Sequence, residues 1–230
     1  MTDAGNLNIK GVNKVTAVQK TLLCIFLAFA ILFIGLLPLE PYPGNFVIKA
    51  IPAISLAVLA FIAVLDLRGK LLFAALLLCA AADVALELDA GKYFIIGLGL
   101  FLIAHILFIV TFSRDFKAQK SQIPVIILLI VYAKMMAFVL TPGLKEMAIP
   151  VYIYLTAITL MGIFAAMRAS KNDFTLYGAI SFIVSDSMIA VNKFMMPVPA
   201  ADYFIMITYY LALSLITFGY MKSVITRPAM

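Results

Sequence analysis

Eight predominantly apolar runs, each close to twenty residues long, constrain this chain more than any other feature. They are Thr21–Leu39, Phe46–Leu65, Lys70–Leu88, Tyr93–Ser113, Ile123–Leu140, Met147–Met167, Phe174–Asn192 and Tyr203–Met221. About 20 apolar residues in an α-helix cross a hydrocarbon core of about 30 Å, and lipid offers the backbone no other partner. The 230 residues are 65% hydrophobic and 12% charged, too few charges to build a water-facing surface. The expected fold is therefore all-α: a polytopic membrane protein with a bundle of about eight transmembrane helices. A tail at 1–20 precedes a transmembrane domain at 21–222, and a second tail occupies 223–230. The breaks are short and carry turn residues, as in Pro41-Tyr42-Pro43-Gly44, Asp89-Ala90-Gly91 and Pro142-Gly143. Consecutive helices must then be antiparallel neighbours, and no loop is long enough for a separate domain.

The charge pattern orients the bundle. Of the 17 lysines and arginines, five fall on one side (Lys49, Lys92, Lys134, Lys145 and Lys193), which leaves twelve on the side of the termini. Short loops rich in Lys and Arg stay in the cytoplasm, so both termini are expected there, in the cell (inner) membrane. The formal net charge of +6 is thus an orientation signal and a contact for anionic lipid, not a nucleic-acid surface. The first run, Thr21–Leu39, is too long for a signal-peptide core and reads as an uncleaved helix. Cys24 and Cys79 lie inside apolar runs and read as packing residues.

Ionisable groups inside apolar spans cost about 2.5–3.5 kcal/mol on insertion scales and mark candidate functional positions. Here they are Lys49, Asp83, Glu87, His105, Lys134, Asp186 and Lys193. Asp83 in the third run and Asp186 in the seventh fall at similar depth below the outer boundary. Paired carboxyls in a dry site repel, so one can hold a proton while the other is ionised, which suits general acid–base chemistry through an oxocarbenium-like transition state. The bland alternative is a polar pair that hydrogen-bonds helices together. Lys193 follows Asp186 by two turns and Lys49 opens the second helix; both are placed to meet a lipid phosphate or simply to snorkel. Glu87 lies one turn above Asp83. Ser185 and Asn192 share a stripe of the seventh helix and are candidates to orient a water or a carboxyl. His105 has no companions for a metal site and reads as an interhelical hydrogen-bond partner. Lys134, deep in the fifth run, is expected to face the interior. No nucleophile elbow, Walker or zincin motif occurs, so serine-hydrolase and ATP-driven readings have no support.

These residues resemble the YhhN family of membrane proteins, which includes the lysoplasmalogenases. The pieces that carry the resemblance are Lys49-x-x-Pro52, Asp83, Phe101-Leu-Ile-Ala-His105, Met161, Ser185-Asp186-Ser187 with Ala190, Asn192 and Phe194, and Thr208-Tyr209-Tyr210. Leu213 and Phe108 depart from the family's glutamine and tyrosine, so contacts from those two positions do not carry over. The resemblance implies an eight-helix bundle that hydrolyses the vinyl ether of a lysoplasmalogen, a lysophospholipid substrate drawn from the lipid bilayer. It implies a fatty aldehyde and a glycerophospho-ethanolamine or -choline as products, with no cofactor and no metal. Asp83 and Asp186 would be catalytic. Lys49, Lys193, Asn192, Ser185, His105, Tyr209 and Tyr210 would bind substrate. The competing expectations are a small transporter or lipid-binding protein using the same Asp pair, and a metal-dependent amidase of ceramidase type.

Overall fold

The computed structural model describes residues 16–89, 91–170 and 172–225, and among them it contains eight α-helices and no strand. In chain order these are α1 (Ala17–Leu36), α2 (Asn45–Ala63), α3 (Leu67–Leu88), α4 (Phe94–Ser113), α5 (Ile123–Leu144), α6 (Ala148–Ala166), α7 (Phe174–Phe194) and α8 (Ala201–Ile225). Each corresponds to one expected run. Most of the expected tails, with Lys10, Lys14, Lys171 and Arg227 of the charge count, lies outside the described residues. The part that is described is largely helical. α1 starts at Ala17 because Thr16 and Gln19 form a reciprocal capping box: the Thr16 hydroxyl accepts from the Gln19 amide and the Gln19 side chain accepts from the Thr16 amide.

Among the described residues, seven continuous helical stretches are long and apolar enough to cross a membrane. One of them, Lys120–Ala166, covers 47 residues, over twice the roughly 20 that a span needs, and it holds both α5 and α6. At its middle Lys145 takes a φ of 47° and a single 3-10 turn, Lys145–Met147, redirects the chain. α5 and α6 then pack side by side.

The helices form a ring in the order α2, α3, α4, α6, α7, α8, which closes where α8 meets α2. α1 covers the seam between α2 and α8, and α5 lies outside the ring against α6 and α7. Three steps around the ring separate α3 from α7, so Asp83 and Asp186 come from opposite helices of it. α7 and α8 pack closely along their length. A Cβ added at Gly178 would sit 2.9 Å from the Ala212 carbonyl oxygen, and one at Gly219 would sit 2.5 Å from the Thr175 amide nitrogen. Glycine lets two backbones meet where lipid supplies no hydrophobic drive between helices.

Leu56, Leu76, Phe108, Phe182, Leu213 and Tyr220 fill the centre, while Ile31, Leu128, Phe138 and Ile149 point outward as a lipid-facing surface. The expectation for Lys134 is corrected. It is exposed and lines a groove between α5 and α6 beside Thr156 and Thr159, because α5 lies outside the ring and turns that face away from it. At the end of the bundle nearest the termini, Arg168 gathers the connections. It donates to Thr175 and Ser223, lies 3.5 Å from Asp115, and its guanidinium covers the Tyr220 ring at 4.3 Å. Arg68 reaches the other Asp115 oxygen at 3.3 Å.

Candidate active site

The opposite end of the bundle brings together the start of α2, the end of α3, the start of α4, the end of α7 and the start of α8. Asp83 sits five residues before the end of α3, about 7.5 Å deep at 1.5 Å per residue. α7 continues to Phe194, two residues beyond the expected run, so Asp186 lies eight residues from its end, about 12 Å deep. Both line one cavity of about 30 Å³ with Leu86, Phe101, Ser185 and Tyr209. The third and seventh helices therefore present their carboxyls to a common space, with room for one water.

Each carboxyl has its own companions. Asp83, 2% exposed, accepts a hydrogen bond from the Tyr209 hydroxyl at 2.6 Å. Asp186 accepts from the Tyr154 hydroxyl, whose oxygen lies 2.9 Å from His105 Nε2. Since that hydroxyl donates to Asp186, its oxygen is the acceptor and His105 Nε2 carries the hydrogen. His105 is fully buried, its Nδ1 has no partner among the described residues, and its ring packs edge-on to Phe182 at 4.7 Å. Phe182 also packs against Tyr209 and Phe101, so one aromatic wall backs both carboxyl sites.

The small cavity joins two larger spaces through shared walls. Outward, Lys49, Leu86, Ile189, Ile205 and Met206 also line a chamber of about 450 Å³ that contains Glu40, Glu87, Asn192, Lys193 and Asp202. Sideways, Leu86, Phe101, Asp186 and Ile189 also line an apolar cleft of about 50 Å³ with Phe94, Leu98, Val151, Tyr154, Ala190 and Phe194. A polar chamber, a pair of acids and an apolar cleft thus follow one another.

The sequence matches the YhhN family over residues 44–220. The chain belongs to the YhhN family. Among curated proteins, it is similar to the lysoplasmalogenase of Mycobacterium bovis, with 30% identity over 178 residues that cover 75% of this chain and 68% of that protein. It is similar to human lysoplasmalogenase TMEM86B, with 31% identity over 188 residues, or 78% of this chain and 76% of the relative. Pig lysoplasmalogenase TMEM86B is 29% identical over 216 residues, 92% of this chain and 91% of the relative. No solved structure matches.

In this YhhN-family protein the residues expected at the site are distributed unevenly. Lys49 turns inward: its Nζ lies 2.7 Å from Glu87, whose second oxygen accepts from Asn45. Lys193 lines the chamber with its ammonium 4.1 Å from the Phe94 ring centroid. Asn192 also lines the chamber, and its side-chain oxygen accepts from the Val198 amide. Ser185 borders the small cavity, yet its hydroxyl donates to the Ile205 carbonyl and so ties α7 to α8. Tyr209 reaches Asp83, whereas Tyr210 donates to the Lys49 carbonyl at 3.1 Å and packs on Phe26 and Phe33, holding the start of α2. Tyr154 is the residue that sequence reasoning missed. Among the described residues no three His, Cys, Asp or Glu side chains converge as a metal-binding group.

Proposed function

We propose that this protein is a lysoplasmalogenase. It hydrolyses the vinyl-ether bond of a lysoplasmalogen and releases a fatty aldehyde and a glycerophospho-base. The observation that carries the reading is the pair Asp83 and Asp186 on one cavity, between a charged chamber and an apolar cleft. A lysolipid has the same sequence of parts: a charged headgroup, a reactive ether a few bonds below it, and a chain. The YhhN membership and the named relatives support it.

Hydrolysis of a vinyl ether begins with proton transfer to the alkene carbon that is not bonded to oxygen. The resulting oxocarbenium ion captures water as a hemiacetal, which breaks its C–O bond to give aldehyde and glycerol hydroxyl. Water is the only co-reactant. In this reading placement divides the work. Asp186 borders both the small cavity and the apolar cleft, on the chain side of the ether, and delivers the proton to carbon. Asp83, on the small cavity beneath the charged chamber, stabilises the cation and takes the proton of the attacking water. Tyr154 and His105 orient Asp186, which regains its proton from the hemiacetal hydroxyl as the C–O bond breaks, while Asp83 passes the water's proton to the departing glycerol oxygen. Tyr209 orients Asp83. Lys193 and Lys49 lie toward the phosphate, with Asn192 beside them. The chamber faces away from the cytoplasm, with both termini on the cytoplasmic side of the cell membrane.

The test is aldehyde release from lysoplasmenyl lipid by purified protein. Asp83→Asn and Asp186→Asn are each expected to lower kcat by about 10²–10⁴-fold. A variant that keeps wild-type turnover removes that residue from the mechanism. A wild-type protein that moves lipid or protons across proteoliposomes without releasing aldehyde would overturn the hydrolase reading in favour of transport.

A further inference from the structure

The charged chamber holds more acids than the chemistry above uses. Glu87 is matched by Lys49 at 2.7 Å and by Asn45. That leaves Glu40, on the link between α1 and α2, and Asp202, in the first turn of α8, on the same chamber wall as the Lys193 cation. Lys193 is held by a ring face, 4.1 Å from the Phe94 centroid, and makes no ion pair with a carboxylate among the described residues. The chamber thus offers one cation suited to a phosphate and two carboxylates suited to a second, positive group.

One buried atom adds weight. The Glu40 carboxyl lies against the Glu87 carboxyl, and Glu40 Oε1 is shielded from solvent with no hydrogen-bond donor among the described residues. A buried acceptor left without a donor is costly, and a donating group on a ligand would complete it.

We infer that Glu40 and Asp202 form a subsite for the ammonium of a zwitterionic lysolipid headgroup, and that this subsite takes a primary ammonium in preference to a trimethylammonium. The choice follows from the chemistry of the walls. A primary ammonium donates up to three directional hydrogen bonds, which carboxylates accept. A quaternary ammonium has no N–H and is recognised by aromatic faces. The two phenyl rings on this chamber are already covered by the protein's own cations: Phe33 by Lys49 at 5.5 Å and Phe94 by Lys193 at 4.1 Å. Ethanolamine-type headgroups therefore gain what choline-type headgroups do not. The inference rests on the lysolipid reading of the chamber, but not on hydrolysis.

The experiment is equilibrium binding of alkyl-ether lysophospholipids, which vinyl-ether hydrolysis cannot consume, to the full protein in detergent. The probes carry phosphoethanolamine, phosphocholine or bare phosphate on one chain. Wild type is expected to bind the ethanolamine lipid about fivefold to tenfold tighter than the choline lipid. Glu40→Gln with Asp202→Asn should abolish that preference while binding of the bare-phosphate lipid persists and reports a folded chamber. Asp202→Asn alone, at the exposed rim, should lower the preference and serves if the double variant does not fold. Equal or tighter binding of the choline lipid by wild type, or a preference that survives both substitutions, overturns the subsite. Aldehyde release from vinyl-ether lipid is scored separately. Loss of hydrolysis with the preference intact refutes the enzyme and keeps the subsite.

Discussion

The Tyr154 hydroxyl donates to Asp186, and that single contact connects α6 to α7 at the depth where the two acids meet. Because His105 contacts the same hydroxyl at 2.9 Å, three helices fix the orientation of one carboxyl. Tyr154→Phe keeps the ring and removes the donor. We expect kcat to fall about tenfold to hundredfold, with KM within about twofold, since orientation and not affinity is lost. A displaced pH–rate profile should accompany the loss; an unmoved profile would mark Tyr154 as packing only.

Lys49 and Glu87 are largely shielded, with side chains 14% and 11% exposed. Removing one partner of such a pair strands the other charge. Lys49→Met should lower stability by roughly 3 kcal/mol, and Lys49→Met with Glu87→Gln should recover most of it. Detergent-solubilised melting curves of the four proteins in this cycle measure the coupling.

Glu40 gives the chamber a pH response. Burial first, then the Glu87 and Asp202 carboxylates, against the opposing pull of Lys49, raise its carboxyl from the ordinary 4.5 to about 7. A raised carboxyl favours the folded state while protonated. Its contribution is full below about 4.5 and is lost as pH climbs through about 7. The ligand-free melting temperature should decline across that window, and less so in Glu40→Gln. Affinity for an ethanolamine lysolipid should move the other way, rising as Glu40 ionises.

At the far end, Arg168 joins the α6–α7 link to Asp115, Thr175 and Ser223. Arg168→Met should cost about 2–3 kcal/mol of stability through the lost hydrogen bonds to Thr175 and Ser223 and the weakened hold on Asp115, which keeps Arg68. KM for lysoplasmenyl lipid should stay within about twofold, because the cluster lies at the other end of the bundle from the chamber. A large KM change with unaltered melting would contradict that separation.

The bundle was legible because a span's length and apolarity are local properties. All eight runs became helices, with ends displaced by caps such as Thr16 and Gln19. Asp83 and Asp186 were legible for a related reason: a carboxyl in an apolar run is expensive, and depth follows from counting residues. Tyr154 was not legible. It is an ordinary aromatic residue in an apolar run, and only the α4–α6 and α6–α7 contacts bring it to His105 and Asp186. Lys134 misled for the opposite reason: its depth is real, but which way α5 turns is decided by its place outside the ring. Glu40 and Asp202 lie in links and first turns, where a charge is unremarkable until the fold closes a chamber around it.

Asp83 and Asp186 come from opposite helices of the ring and keep unlike company. One receives a phenol from α8; the other receives a phenol from α6 with an imidazole behind it. Two identical half-length chains paired about an axis would have to surround both acids with the same neighbours, and both would then answer to protons alike. A single polypeptide carries no such restriction, so the two acids are free to keep different neighbours.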